Sequence, residues 1–414
     1  RADAFEEMWI AAQMRMAGAE VSAWGAAQAS DNTLSVEAKT ITASGRWVGA
    51  SVESYASALA QGNELNVIAD EFIASSSPGE GITQFYASLV DGPTGAAYGS
   101  RVNMQIGNVS AQEMAIYGAQ VSGESAEALN NRVAVRFDEL SAERLNLYGA
   151  RAETWPASMS EQTSAQAIAS GNELSVVFGT VHGDSDITIA AGKAEATGQD
   201  AVSVADGNST TIEIDEIVAS SSVPIIDIQG GVSSAGNEMG DPLSLSAQAS
   251  ASGNELSGVF GSVNSQSTDY VNLVAGNALA YGQNAVAAAD SNRLTFDVSS
   301  LLSSQHFAVT GGMSVTGLAN AASLFLSARA SASDNAVSGR FESISNSDIS
   351  MVAGSAAAYG QDAVASADGN RLTFEIATSV SNSTLDIQGT PHFECGPIDH
   401  SGISPGPSPT LRPV

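Results

Sequence analysis

Basic residues are scarce in this sequence. Lys and Arg number 15 against 45 Asp and Glu, for a formal net charge of −30. Nucleic-acid affinity rests on basic contacts to phosphate, so this balance argues against that partner, and its sign argues equally against an anionic membrane surface. Cysteine is nearly absent. Cys395 stands alone, which excludes an internal disulfide framework and a Cys-rich metal site. No run of 18 apolar residues occurs, so no membrane-spanning helix is predicted; the many short alternating segments leave a strand-built membrane barrel open. Aromatics make up 6% and charged residues 14% of the chain, whereas hydrophobics make up 43%, so the apolar fraction consists mostly of small residues. With 40 Gly and only 11 Pro, collagen and Pro-rich disorder are excluded. The sequence opens on Arg1, which suggests a processed chain or a fragment of a larger precursor.

What the sequence has is repetition. Gly171-Asn172-Glu173-Leu174-Ser175 returns as Gly253-Asn254-Glu255-Leu256-Ser257 and again as Asp334-Asn335-Ala336-Val337-Ser338, with the asparagines 82 and 81 positions apart. A sister motif lies between these copies: Asp206-Gly207-Asn208, Asp290-Ser291-Asn292 and Asp368-Gly369-Asn370, each followed by an alternating apolar segment. Weaker copies stand at Asn32, Asn63 and Asn131, and a degenerate one reads Tyr98-Gly99-Ser100-Arg101-Val102. From Asn131 the steps are 41, 36, 46, 38, 43 and 35, so long and short units alternate within a super-repeat near 80. The array replaces the two to four globular domains that length alone would suggest.

Each unit has one grammar, seen in Asp348–Val352, then the small-residue run 353–360, then Ala363–Ala367, then Leu372–Ile376. Period-two alternation punctuated by Gly, Asn, Asp and Ser reads as strands and turns. Such a unit buries its inward side chains only when stacked on copies of itself. The expected fold is therefore an all-β parallel β-helix of about ten coils, each about 35–45 residues, forming a rod about 48 Å long at roughly 4.8 Å per strand spacing. The crossover rule predicts right-handed coiling. In this reading Asn32, Asn63, Asn131, Asn172, Asn208, Asn254, Asn292, Asn335 and Asn370 occupy the left-handed bend of each coil and stack as a side-chain ladder. An antiparallel meander with Asp-Gly-Asn and Ser-Gly-Asn hairpin turns is the competing fold.

The once-per-coil Gly/Ser/Asp-Asn turn before a Leu-x-Val/Phe strand resembles the asparagine turn of parallel β-helix proteins. In size and composition the chain is similar to bacterial secreted adhesins and autotransporter passengers. The spacing in residues 347–364 also resembles curli repeats faintly, although the units here are nearly twice as long. The likeness is architectural and implies no residue-level function.

The expected organisation is an N-terminal cap or irregular first coil over residues 1–19, the solenoid over 20–388, and a Pro-rich tail or arm over 389–414. Phe5, Met8, Trp9, Ala12 and Met16 fall at the spacing of one face of a capping helix, with an irregular strand as the alternative. Insertions are expected at Arg151–Gln162, Gly230–Pro242 and Gly311–Asn320, as surface loops or as a lateral contact ridge. The tail carries Pro391, Pro397, Pro405, Pro407, Pro409 and Pro413, six of the 11 prolines, and proline opposes regular strand pairing.

Chemistry-bearing motifs are thin. His392 and His400 flank Cys395, a zinc pattern short of a fourth ligand. Cys395 is otherwise a free thiol or an intersubunit disulfide. Asp200, Asp206, Asp290, Asp362 and Asp368 recur at equivalent turns. They serve as backbone-bonding turn residues or, if stacked neighbours share an ion, as Ca²⁺ ligands. Lys39 and Lys193 are the only lysines, which disfavours a lyase with a basic catalytic group. No catalytic, cofactor or metal residues are assigned. The sequence predicts a secreted or cell-surface structural protein, a filament or matrix subunit or adhesin stalk that polymerises through its coil ends and tail. A carbohydrate-binding or polysaccharide-degrading β-helix is the alternative.

Overall fold

The computed structural model describes residues 5–74, 82–154, 164–183, 186–198, 200–219, 225–236, 246–265, 270–282, 284–302, 306–316, 327–359, 362–388 and 390–395. These residues form an all-β parallel solenoid. One coil shows the plan: Glu173–Gly183 on a first face, Asp186–Ala196 on a second and Asp200–Val204 on a third. Each strand pairs in parallel with its equivalent in the next coil, Ser209–Ala219, Ile225–Gly236 and Ser246–Ser250. Parallel pairing on all three faces overturns the hairpin meander. The third face is a ten-stranded sheet running from Ala27–Ser30 to Asp362–Ser366. The first two faces form one 19-stranded sheet, because Phe5–Ala23, Thr33–Ser54, Arg101–Gly123 and Arg132–Thr154 each turn the corner as a single strand. No helix occurs among the described residues, so none is long and apolar enough to cross a membrane.

Two chambers run along the axis. Leu, Ile, Val and Phe fill the one between the first face and the near half of the second, for example Leu174, Phe178, Ile189 and Ile217. The other, between the far half of the second face and the third, is filled almost wholly by Ala, such as Ala194, Ala201, Ala247 and Ala285. The Ala-rich runs of the sequence therefore mark the narrow chamber, where the walls approach too closely for larger side chains.

The structure corrects several sequence expectations. Phe5–Ala23 is a strand paired with Thr33–Ser54, and its register shift between Trp9 and Gln13 fits the irregular-strand alternative rather than a helix. The parallel ladder satisfies its backbone, so tertiary pairing overrides the helical spacing. Arg151–Thr154, Gly230–Gly236 and Gly311–Thr316 continue strands of the second face; the remainder of each expected insertion lies outside the described residues. The tail begins as a strand, Thr390–Cys395, in register with Arg371–Ile376. Pro391 is admitted there because the strand has a described neighbour on one side only. His392 and Cys395 lie in that strand, and His400 lies outside the described residues. From Asn32 to Asn370 the coils, counting Ser100 as a turn position, run from 31 to 46 residues, a wider range than expected.

Candidate functional site

The asparagines form one column. Asn131 donates its backbone N–H (2.9 Å) and its Nδ2 (3.1 Å) to Oδ1 of Asn172; Asn172 does the same to Asn208, and Asn208 to Asn254. The chain of bonds continues through Asn292 and Asn335 to Asn370, and Asn32 bonds Asn63 in the same way. The Asn172 Nδ2 also donates to the Ala128 carbonyl at 3.1 Å. Buried amides are thus satisfied on both sides, as a low-dielectric interior requires.

The column differs from expectation in one respect. The left-handed residue is the one before each asparagine: Asp31, Gly62, Gly99, Asn130, Gly171, Gly207, Gly253, Ser291, Asp334 and Gly369, all with φ between 55° and 67°. The small or turn-forming residue makes the bend, which frees the asparagine to point inward. Opposite the column, the second face supplies Gly192, Gly231, Gly276, Gly312 and Gly354. A Cβ on any of them would lie within 2.7 Å of an asparagine amide atom. Ser100 interrupts the amides and is repaired locally: Asn63 Nδ2 donates to Ser88 Oγ (3.0 Å), Ser88 and Ser100 hydroxyls bond at 2.7 Å, and Ser100 N–H donates to Asn131 Oδ1.

Three of the five repeated acids, Asp206, Asp290 and Asp368, lie in a second column at the same corner, whereas Asp200 and Asp362 are not equivalent to them and open strands of the third face. Asp206 Oδ1 accepts from the Ser252 N–H and Asp290 Oδ1 from the Ser333 N–H, both at 2.6 Å. The Ser252 and Ser333 hydroxyls accept in turn from the N–H groups of Asp290 and Asp368. Ser250 and Ser331 hydroxyls also bond Asp206 and Asp290 at 2.8 Å. This alternation of Asp and Ser matches the two-coil super-repeat. No group of three or more His, Cys, Asp or Glu that could hold a metal occurs among the described residues.

Two clusters escaped the sequence reading. On the outer side of the second face, Tyr86, Tyr117 and Tyr148 stack with ring centroids 4.8 and 5.3 Å apart, and Arg151 and Lys193 each sit 5.9 Å from the Tyr148 ring. Burial raises all three phenols above their ordinary range. Glu153 and Glu195 occupy the next positions, in register across adjacent coils. Glu153 is ion-paired with Arg151, and Glu195 lies 2.9 Å from Lys193 and 3.3 Å from Arg151. Burial, with the hydrogen bond to Glu195, lifts the Glu153 carboxyl to about 7. Burial pushes Glu195 up too, but the bonds to Glu153 and Lys193 and the nearby cations outweigh it and hold Glu195 at about 2. The tyrosines recur at steps of 31 residues, a coil length, so the signal was present in the sequence.

The second cluster is an exposed aromatic pair at the corner between the second and third faces. Trp24 and Tyr55 stack at 4.6 Å and 15°, while 85% and 62% exposed. The next coil places Gly92-Pro93 at this corner, with Pro93 exposed.

Compared with known proteins, the chain matches no family model, no curated protein and no solved structure.

Proposed function

We propose that the chain is a structural protein of the secreted or cell-surface kind, a rod that assembles end to end as a filament or matrix subunit or serves as an adhesin stalk. The observation that carries this reading is the state of the C-terminal coil. Ala363 and Ala365 occupy the positions of Ala328 and Ala330, which are 0% and 3% exposed, yet both are exposed. Val380, at the position of the buried Ile344, is 48% exposed nearby. Among the described residues, Asp362–Ser366 is paired along one edge only and its apolar side is uncovered, which makes it a template for a further coil. A head-to-tail contact of this kind does not close on itself and generates filaments. The high negative charge opposes lateral clumping and leaves the ends as the sites of contact.

A polysaccharide-cleaving role is less well supported by the one carboxyl pair. Glu153 and Glu195 are hydrogen-bonded to each other. Glycoside hydrolysis uses carboxyls about 5–5.5 Å or about 6.5–9.5 Å apart, with room for sugar or water between them. Sedimentation velocity and negative-stain electron microscopy over a range of concentrations, with and without Ca²⁺, test the filament reading. Species growing in one dimension with concentration are expected; a chain that remains monomeric throughout contradicts it.

A further inference from the structure

We propose that the outer side of the first face carries a binding groove for a linear polysaccharide of neutral sugars with interspersed uronic acids, anchored where Arg101 and Arg132 lie side by side. The inference goes beyond the end-to-end reading and does not depend on it.

Arg101 and Arg132 are partners in the ladder between Arg101–Gly123 and Arg132–Thr154, so they stand one strand spacing apart, about 4.8 Å. Two like charges at that separation repel. Elsewhere the chain neutralises such a pair: Arg151 and Lys193, also in register, are bonded to Glu153 and Glu195. Here it does so only in part. Arg132 turns its Nε and Nη2 to Glu173, each at 3.0 Å, which leaves Nη1 open. Among the described residues no acid lies within ion-pair distance of Arg101. Glu64, its neighbour on the other side, accepts instead from Asn103 Nδ2 at 3.2 Å. Adjacent guanidinium groups with open N–H donors fit a carboxylate through charge-assisted hydrogen bonds.

The surroundings define what carries that carboxylate. The two arginines border a shallow recess of about 350 Å³, lined also by Ala134, Ser175, Ser209 and Thr211. Along the outward column from Ser35 to Thr373, Ala134 is the one residue without a polar end, and its short side chain makes the dip. The Ser175, Ser209 and Thr211 hydroxyls make no hydrogen bond among the described residues. A second recess, of about 400 Å³, opens over Ser257, Thr295, Ser338 and Thr373 of the same column. The furrow therefore runs along the axis with one hydroxyl per coil on its floor. That floor matches a chain of hydroxyl groups, whereas an extended peptide is held by strand pairing and by pockets for alternate side chains. Charge sets the spacing of the acids on the ligand. Glu64 and Glu173 bracket the two arginines, and the chain carries a net charge of −30. A polymer with an anion on every unit meets those acids and is repelled, whereas one uronate between neutral sugars meets only the arginines.

The test is isothermal titration calorimetry of the full-length chain, at low ionic strength with EDTA, against hyaluronan hexasaccharide, whose uronic acids alternate with neutral sugars. Binding is expected, about 10-fold or more tighter than for neutral chitohexaose or for hexagalacturonate, which carries a carboxylate on every sugar. Arg101→Gln should weaken it by about 10-fold or more. Ala134→Phe, which fills the recess without changing the charge, should do the same. Arg329→Gln, on the third face, should leave the affinity within about 2-fold. All three positions are exposed, so an unchanged melting temperature verifies the fold of each variant. No binding of the hexasaccharide, or equal losses in Arg101→Gln and Arg329→Gln, overturns the proposal. Chitohexaose binding as tightly overturns the role of the carboxylate, and tighter binding of hexagalacturonate overturns the proposal in favour of a dense polyanion. Glucuronic acid alone binding as tightly as the hexasaccharide overturns the groove.

Discussion

Asn254→Leu is expected to destabilise the rod by about 3–5 kcal/mol in urea unfolding. The substitution keeps the side chain's size and removes its amide. The Asn208 N–H and Nδ2 both donate to Asn254 Oδ1, and both would be left buried without an acceptor. Each such group costs about 1–3 kcal/mol, and the bond from Asn254 Nδ2 to Asn292 is lost as well. The Leu methyls are also slightly bulkier than the amide oxygen and nitrogen they replace, and they would lie against Gly231, where the opposing wall leaves little room. A control at Asn66, half-buried on the outer side of the first face where it accepts from Asn103 Nδ2 at 2.8 Å within reach of solvent, is expected to cost under about 1 kcal/mol as Asn66→Ala. Because a solenoid is stabilised by nearest-neighbour interfaces, the loss should appear first as a separate transition confined to the coils around Asn254. Equal effects at positions 66 and 254 would mean that the amide column does not hold the coils together.

The second large effect is expected at Gly339. Its backbone is not left-handed, so freedom of φ is not what requires glycine there. A Cβ at this position would fall inside the Phe296 ring, which belongs to the preceding coil and packs edge-on against Phe341 at 5.2 Å. Gly339→Ala is expected to cost about 2–3 kcal/mol through overpacking. Phe296→Ala alone should cost about 3–5 kcal/mol through the cavity it leaves. The two changes made together should cost less than their sum by at least about 1 kcal/mol, because the cavity accepts the new methyl. Simple additivity, measured by the same urea unfolding, would contradict the large-against-small packing of these two coils. The pairing also accounts for part of the two-coil super-repeat: Gly258, Phe296, Gly339 and Phe374 alternate along one inward column.

These two sites show what the sequence revealed and what it withheld. The asparagines were legible because one buried amide per coil leaves a fixed residue type at a coil-length step. Their conformational role was assigned one position too late, since Gly171-Asn172 reads as a turn whichever residue carries the positive φ. Ser88 gave no signal, because its part in bridging Asn63 and Ser100 depends on a strand 12 residues from Ser100 lying directly across the chamber. The glycines facing the column, Gly192 to Gly354, looked like ordinary small residues in Ala-rich runs. Only the distance between opposing walls distinguishes them. The first strand was obscured by an apolar spacing that suits a helix, and the last by prolines that suit an arm. In both cases the deciding factor was a neighbouring strand remote in sequence. Glu153 and Glu195 are 42 residues apart and meet only because their coils are in register.

Register is the central claim, and spin-label distances test it most directly. Ser35, Asn66, Asn103, Ala134, Ser175, Thr211, Ser257, Thr295, Ser338 and Thr373 form one outward column on the first face. In a Cys395→Ser background, labels at Ser35 paired with Thr211, Thr295 or Thr373 should give distances near 24, 34 and 43 Å, at about 4.8 Å per coil. Distances that fail to rise by equal increments along that series would contradict the stack of equivalent coils.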